Sequence, residues 1–274
     1  SYGEYLLAGK SKKEILISCY ICHPSMANDS LSGVLLTAFL AKYLTEQAQR
    51  SWSYRFVFVP ETIGAIAYCS KNEVLMNSID MGLVITTVGG PGEFGYKQSF
   101  NENHPINLMI ERVLKQTGRK YHTYPFDVHG SDERQYSSQA FEINVATICR
   151  DRYYEYKEYH SSKDNLEFVK GSQVAETLEV YKKLIALMED RVIYRAKNTF
   201  CEVMLSKHDL YPEAGGQQLP EMGEHSELDL VLWLIYLCNG RNSLDEIAKR
   251  LKVETSCLAQ IASRLEQKGL LQLV

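Results

Sequence analysis

The chain predicts an α/β fold: a three-layer sandwich of helices around a mostly parallel sheet, followed by a small C-terminal winged-helix domain. Three observations carry this. Short apolar, β-branched runs alternate with stretches of helical apolar spacing over the first 190 or so residues, as expected for strands joined by crossover helices. Composition then shifts to Gly, Pro and charge in "SKHDLYPEAGGQQLPEMGEHS" (206–226), which reads as a linker. Beyond it lie three short helical segments and an apolar tail, the outline of a winged helix-turn-helix. The expected division is therefore 1–200 for the first domain, 201–227 for a linker and 228–274 for the winged helix.

The elements follow in order. "EILISCYI" (14–21) is a continuous apolar run, read as a buried strand. "SLSGVLLTAFLAKYLTEQ" (30–47) has helical spacing, with Asp29 where an N-cap would sit. "YRFVFVP" (54–60) is a second buried strand ended by Pro60, and "GAIAYCSKNEVLM" (64–76) a helix. "MGLVITTVG" (81–89) is a third strand and "GGPGEFGYK" after it a turn. A helix over 104–118, a strand over 144–150 and a long helix within 165–191 complete the first domain. In the second, 229–240, 243–251 and 255–269 are helices, Ser243 with Glu246 forms a capping box, and "LLQLV" forms a strand.

Bulk properties bound the function. At 274 residues and 45% hydrophobic content the chain can bury a substantial core. A formal net charge of -4 argues against a general polyanion binder, so nucleic acid is not an expected partner. No apolar run approaches a membrane span and no signal peptide opens the chain. Seven cysteines without framework spacing fit free thiols in a reducing cytoplasm. A homo-oligomer stays compatible with all of this. The chain opens at Ser1 in "SYGEYLL", which reads as the middle of a strand pair, so a preceding segment is expected.

"CYICH" (19–23) matches a haem c attachment pattern on paper. An apolar strand alternates its faces, so Cys19 and Cys22 would not both be offered to a haem. A redox dithiol normally opens a helix, whereas this pair ends a strand. Both cysteines therefore read as small buried hydrophobes. The polar residues that matter fall after strands, where ligands gather in such sheets. They are His23, Asp29, Glu61, Asp132 and His160. Imidazole and carboxylate suit Zn²⁺, and an open catalytic site uses about three protein ligands plus water.

Four segments carry a resemblance. "CHPSMANDSLSG", "FVFVPETIGAIAY", "GSDERQY" and "YHSSKDNLEFV" are similar, in order and rough spacing over 14–190, to motifs of the zinc aminopeptidase family, which includes glutaminyl cyclases. A subgroup with a C-terminal winged helix, often linked to surface polysaccharide biosynthesis, resembles the chain most. The resemblance implies a metal-dependent aminopeptidase-like hydrolase. His23, Asp29 and His160 would ligate the metal, and Glu61 would be the general base that activates water. Asp132 would be a carboxylate near the substrate pocket, and Asp164 a cap of the long helix or a partner of His160. The substrate would be a small peptide or amide with a free amine. Two departures stand out. Thr62 replaces the family's second glutamate, and Thr86 and Thr87 stand where a ligand aspartate is expected. One zinc ion is thus expected rather than two, with Glu61 either as the base or as a fourth ligand. The rival expectations are a non-catalytic peptide- or sugar-binding protein on a decayed peptidase fold, and a ligand-sensing regulator.

Other candidates are His129 as a pocket residue, and Arg150 and Arg152 as a cleft wall able to grip a carboxylate. His104, His122, His208 and His225 have no evident partner in the sequence. The third winged-helix segment, from Ser256 to Gln267, carries one basic and one acidic residue. It is too poor in charge for a DNA reader, so the domain is expected to be a packing or protein-interaction module.

Overall fold

In the computed structural model, residues 1–211 and 225–274 are described. They form two compact units, Ser1–Glu189 and Asp190–Val274. The expected linker, 201–227, falls in the second unit, and its residues 212–224 lie outside the described residues.

The first unit is built on a seven-stranded sheet of order β1-β3-β2-β4-β7-β5-β6. Its strands are β1 (Gly3–Leu7), β2 (Glu14–Tyr20), β3 (Ser53–Val59), β4 (Met81–Val84), β5 (Phe94–Lys97), β6 (Tyr121–Tyr124) and β7 (Asn144–Cys149). The β2–β3, β2–β4, β4–β7 and β5–β6 pairs are parallel, whereas β1–β3 and β5–β7 are antiparallel. The helices are α1 (Gly33–Glu46), α2 (Ile63–Lys71), α3 (Glu73–Met76), α4 (Pro105–Gln116), α5 (Glu133–Tyr136) and α6 (Gly171–Glu189). Helices α1, α4 and α6 pack together, and α2, α3 and α5 form a separate group. Leu16, Val57, Val59, Val84 and Val145 of the strands meet Tyr68, Met76 and Tyr136 of that second group in one apolar cluster. The fold is the mixed α/β sandwich that the alternating pattern predicts. Strands β2 and β7 read as unbroken apolar runs because they are covered on both faces.

Strand β4 stops at Val84, short of the 81–89 run. Ile85 N–H still donates to Ser18 O of β2 at 2.8 Å, and amides further on turn to other partners. Val88 N–H donates to Ser32 Oγ and Gly89 N–H to Asn28 Oδ1. The "GGPGEFGYK" turn also contains β5, a short strand between glycine-rich bends.

The second unit has a three-stranded sheet of order β10-β8-β9: β8 (Ile193–Ala196), β9 (Asn239–Ser243) and β10 (Leu271–Leu273). Three helices complete it: α7 (Glu227–Leu237), α8 (Leu244–Leu251) and α9 (Thr255–Gln267). Leu234, Leu258, Ala262, Leu265 and Leu271 lie in its core. The Ser243–Glu246 capping box forms, and a second one, Ser226–Asp229, opens α7. On α9, Arg264 pairs with Glu227 at 2.5 Å, while Ser256, Gln260, Ser263 and Gln267 are exposed. No helix among the described residues is long and apolar enough to cross a membrane.

Candidate metal centre

The site lies at the carboxyl ends of β2 and β3, where parallel strands release their loops on one edge. The two exits are tied together by Ile21 N–H donating to Val59 O at 2.9 Å. The loop after β2 is built residue by residue. Asn28 Oδ1 holds the Gly89 amide, and Ser32 Oγ donates to Asn28 O at 2.7 Å. Gly33 is required because a Cβ there would stand 2.3 Å from Ile85 O. Asp29 is not a helix cap: α1 begins four residues later, at Gly33. The cap reading fails because the hooks to the chain after β4 hold this segment in an irregular turn that aims the Asp29 carboxylate into the site.

Asp29 is 1% exposed. Its Oδ1 accepts from Tyr20 Oη at 2.5 Å, and Tyr20 Oη lies 2.6 Å from Thr86 Oγ1. Its Oδ2 is 2.9 Å from His160 Nε2. His160 comes from the 150–170 loop, with φ of +51°, a left-handed conformation that histidine tolerates better than most residues. Tyr159 stacks on its ring at 3.9 Å between centroids and 12° between planes. The rings of His23 and His160 are 5.1 Å apart. Asp164, fully buried, accepts from the amides of Asn28 at 2.5 Å and Asp29 at 3.0 Å. It neither caps the long helix, which starts at Gly171, nor bonds to His160. It fixes the backbone that carries the Asp29 carboxylate.

On the other flank, Glu61 Oε2 is 3.8 Å from His23 Nε2. Burial pushes the Glu61 carboxyl up to about 7, helped by the charges of Asp132 and Asp29. Asp132 is also pushed up to about 7, chiefly by burial. Asp132 is 1% exposed, and its Oδ1 accepts from Thr62 N–H at 2.7 Å. It therefore lies beneath the turn that carries Glu61 rather than facing the cleft. Cys22 Sγ accepts from Glu61 N–H at 3.1 Å and lies 3.4 Å from His23 Nδ1.

Thus His23, Asp29 and His160 meet, with one donor atom from each within 4.8 Å of the others, and Glu61 adjoins them. Two imidazoles and a nearly buried carboxylate are a donor set that fits zinc. Among the described residues a second such group is Cys22, His23 and Glu61. Cys19 is buried, whereas Cys22 is half-buried at the site, so the pair are not alike and Cys22 is not a plain core residue. Sequence reading also missed Tyr20. Its hydroxyl at the end of an apolar strand was the available signal. Arg150 is no cleft wall: it is buried, donates to Gly90 O and pairs with Glu176 at 2.8 Å. Arg152 pairs with Asp127 and Glu155. His129 is exposed, and its carbonyl accepts from Lys97 Nζ. His104 caps α4 and pairs with Asp80, and His122 pairs with Glu93.

Residues 1–191 match the family model described as "Domain of unknown function (DUF4910)". The chain belongs to that family. Residues 192–273 match a winged helix-turn-helix. The chain is 37% identical over 274 residues to a Clostridium acetobutylicum protein named "Putative polysaccharide biosynthesis protein with aminopeptidase-like domain", covering 100% of this chain and 62% of that protein. A crystal structure of a "putative peptidase" from Clostridium acetobutylicum aligns with TM-score 0.70 at 36% identity, covering 100% of this chain and 60% of that one. The chain thus spans about three fifths of the length of these relatives. A zinc aminopeptidase from Bacillus subtilis aligns with TM-score 0.57 at 14% identity, over 68% of this chain and 49% of that one. A glutaminyl cyclase from Porphyromonas gingivalis aligns with TM-score 0.56 at 13% identity, over 68% and 75%. The first unit has the fold of zinc aminopeptidases and glutaminyl cyclases.

Proposed function

We propose that the first unit is an aminopeptidase-like amide hydrolase that holds one zinc ion at His23, Asp29 and His160. The observation that carries this is the meeting of those three donors, from loops far apart in sequence, beside Glu61. When bound, zinc supplies acidification of water and polarisation of a carbonyl. Glu61 is the base. A carboxylate poised near neutrality accepts a proton readily and can return it to the leaving amine. Tyr20 holds one oxygen of Asp29 and leaves the other toward His160. Asp132 positions the Glu61 turn through the Thr62 amide.

The substrate is a small peptide or amide with a free amine. A pocket of about 510 Å³ opens beside His23 and is lined by Ile21, Pro24, Met26, Leu31, Val34 and Leu166, among others. That lining favours an apolar substrate side chain. The winged helix serves packing or protein interaction, since the exposed face of α9 offers no free cluster of basic side chains for phosphate. A place in polysaccharide biosynthesis follows the name of the Clostridium acetobutylicum relative.

A second reading, a binding protein without catalysis, draws on Thr62, Thr86 and Thr87 standing where carboxylates are expected. A panel of aminoacyl amides, assayed at measured zinc occupancy, separates the two. Hydrolysis by the wild type and its loss in Glu61→Gln with zinc retained supports the enzyme. A zinc-loaded wild type that cleaves none of the panel overturns it in favour of binding.

A further inference from the structure

We propose that Cys22, His23 and Glu61 form a second cation seat, abutting the first through His23, whose ligand is a thiophilic divalent cation, zinc foremost. This deepens the hydrolase reading and rests on it only in sharing His23 and Glu61. The three residues offer one donor atom each, all within 4.8 Å of one another. They come from the exits of two adjacent parallel strands, locked together by the Ile21–Val59 bond. His23 presents two separate nitrogens: Nδ1 lies 3.4 Å from Cys22 Sγ, and Nε2 lies 3.8 Å from Glu61 Oε2.

Two features favour a thiolate ligand here. The Glu61 amide already points at Cys22 Sγ from 3.1 Å, and a hydrogen bond to the charged form favours it. Cys22 is also half-buried, which leaves an ion a path in, whereas Cys19, Cys69, Cys149 and Cys238 are buried. Thiolate with imidazole and carboxylate selects zinc over magnesium or calcium. An ion in this seat takes the Glu61 carboxylate as a ligand and so removes the base. Zinc beyond the first equivalent therefore inhibits hydrolysis.

Cobalt substitution in the full chain tests the seat without reference to activity. Wild type titrated with Co²⁺ is expected to develop a near-ultraviolet sulfur-to-cobalt charge-transfer band. The band is expected to vanish in Cys22→Ser and to persist in His160→Ala, which removes a ligand of the first group only. Wild type that binds no cobalt, binds it without the band, or keeps the band in Cys22→Ser overturns the proposal. Activity is read separately. The expected band with no amide hydrolysis leaves the seat standing and removes the enzyme; hydrolysis without the band does the reverse.

Discussion

The two flanks of the metal centre are built on opposite terms. On the Asp29 flank every carboxylate oxygen has a partner: Tyr20 and His160 for Asp29, and the Asn28 and Asp29 amides for Asp164. On the Glu61 flank the acids crowd. Glu61 and Asp132 are each pushed up to about 7, and Asp132 Oδ2 is buried with no hydrogen-bond partner among the described residues. A satisfied carboxylate is a fixed ligand, because its geometry is set before any ion arrives. A crowded one is a proton acceptor near neutrality, because its charge is costly. The same residue type thus takes two roles through its surroundings alone.

That contrast can be broken at each flank. The largest effect is expected from Asp29→Ala, which removes the ligand and leaves Tyr20 and His160 without their shared partner. Zinc affinity measured by calorimetry should fall more than about 100-fold, beyond the range typical of supporting residues. Glu61→Gln should cut amide hydrolysis by about 10²–10⁴-fold, the usual worth of a general base, with the first equivalent of zinc still bound by elemental analysis. Asp164→Asn keeps an acceptor for one of the two backbone N–H groups and turns an amide donor toward the other. It should weaken zinc binding about 10–100-fold and cost roughly 1–3 kcal/mol in denaturant unfolding. Zinc affinity and stability both at wild-type levels would show that the loop holds itself.

The smallest effect sharpens the other flank. The Asp132 pKa is about 7 in the folded chain against 3.8 for the free group. A raised folded pKa means stability that is full below the free value and is lost as pH rises through the folded one. Chelator-treated protein should therefore melt lower at pH 8 than at pH 5. Asp132→Asn should reduce that slope, since the amide oxygen can still accept from Thr62. An unchanged slope would assign the pH dependence to other groups.

The parts legible in the sequence were those fixed by one local signal. Strands β2, β3 and β7 are apolar runs covered on both faces, and Ser243 and Glu246 are three residues apart at a helix start. The parts that stayed hidden depend on distant partners. Strand β6, "YHTY", is half-exposed at the sheet edge and shows no clear burial pattern. Asp29 sits where a cap belongs, and the hooks from Asn28 and Ser32 to the chain after β4, with Asp164 on its backbone, turn it into the site instead. Asp164 serves amides 135 and 136 residues away. Arg150 looked free because Glu176, its partner, lies one loop and a helix further on. Residue chemistry pointed to the donors; their supports required the tertiary structure.

Thr62 carries one more consequence. The turn grips it by its amide, through Asp132, so its side chain is not what holds the backbone there. In the proposed hydrolase, adding the carboxylate that the resemblance expects at this position is a side-chain exchange on a backbone held by other groups. Thr62→Glu is the natural starting point for an engineer who wants to try that exchange.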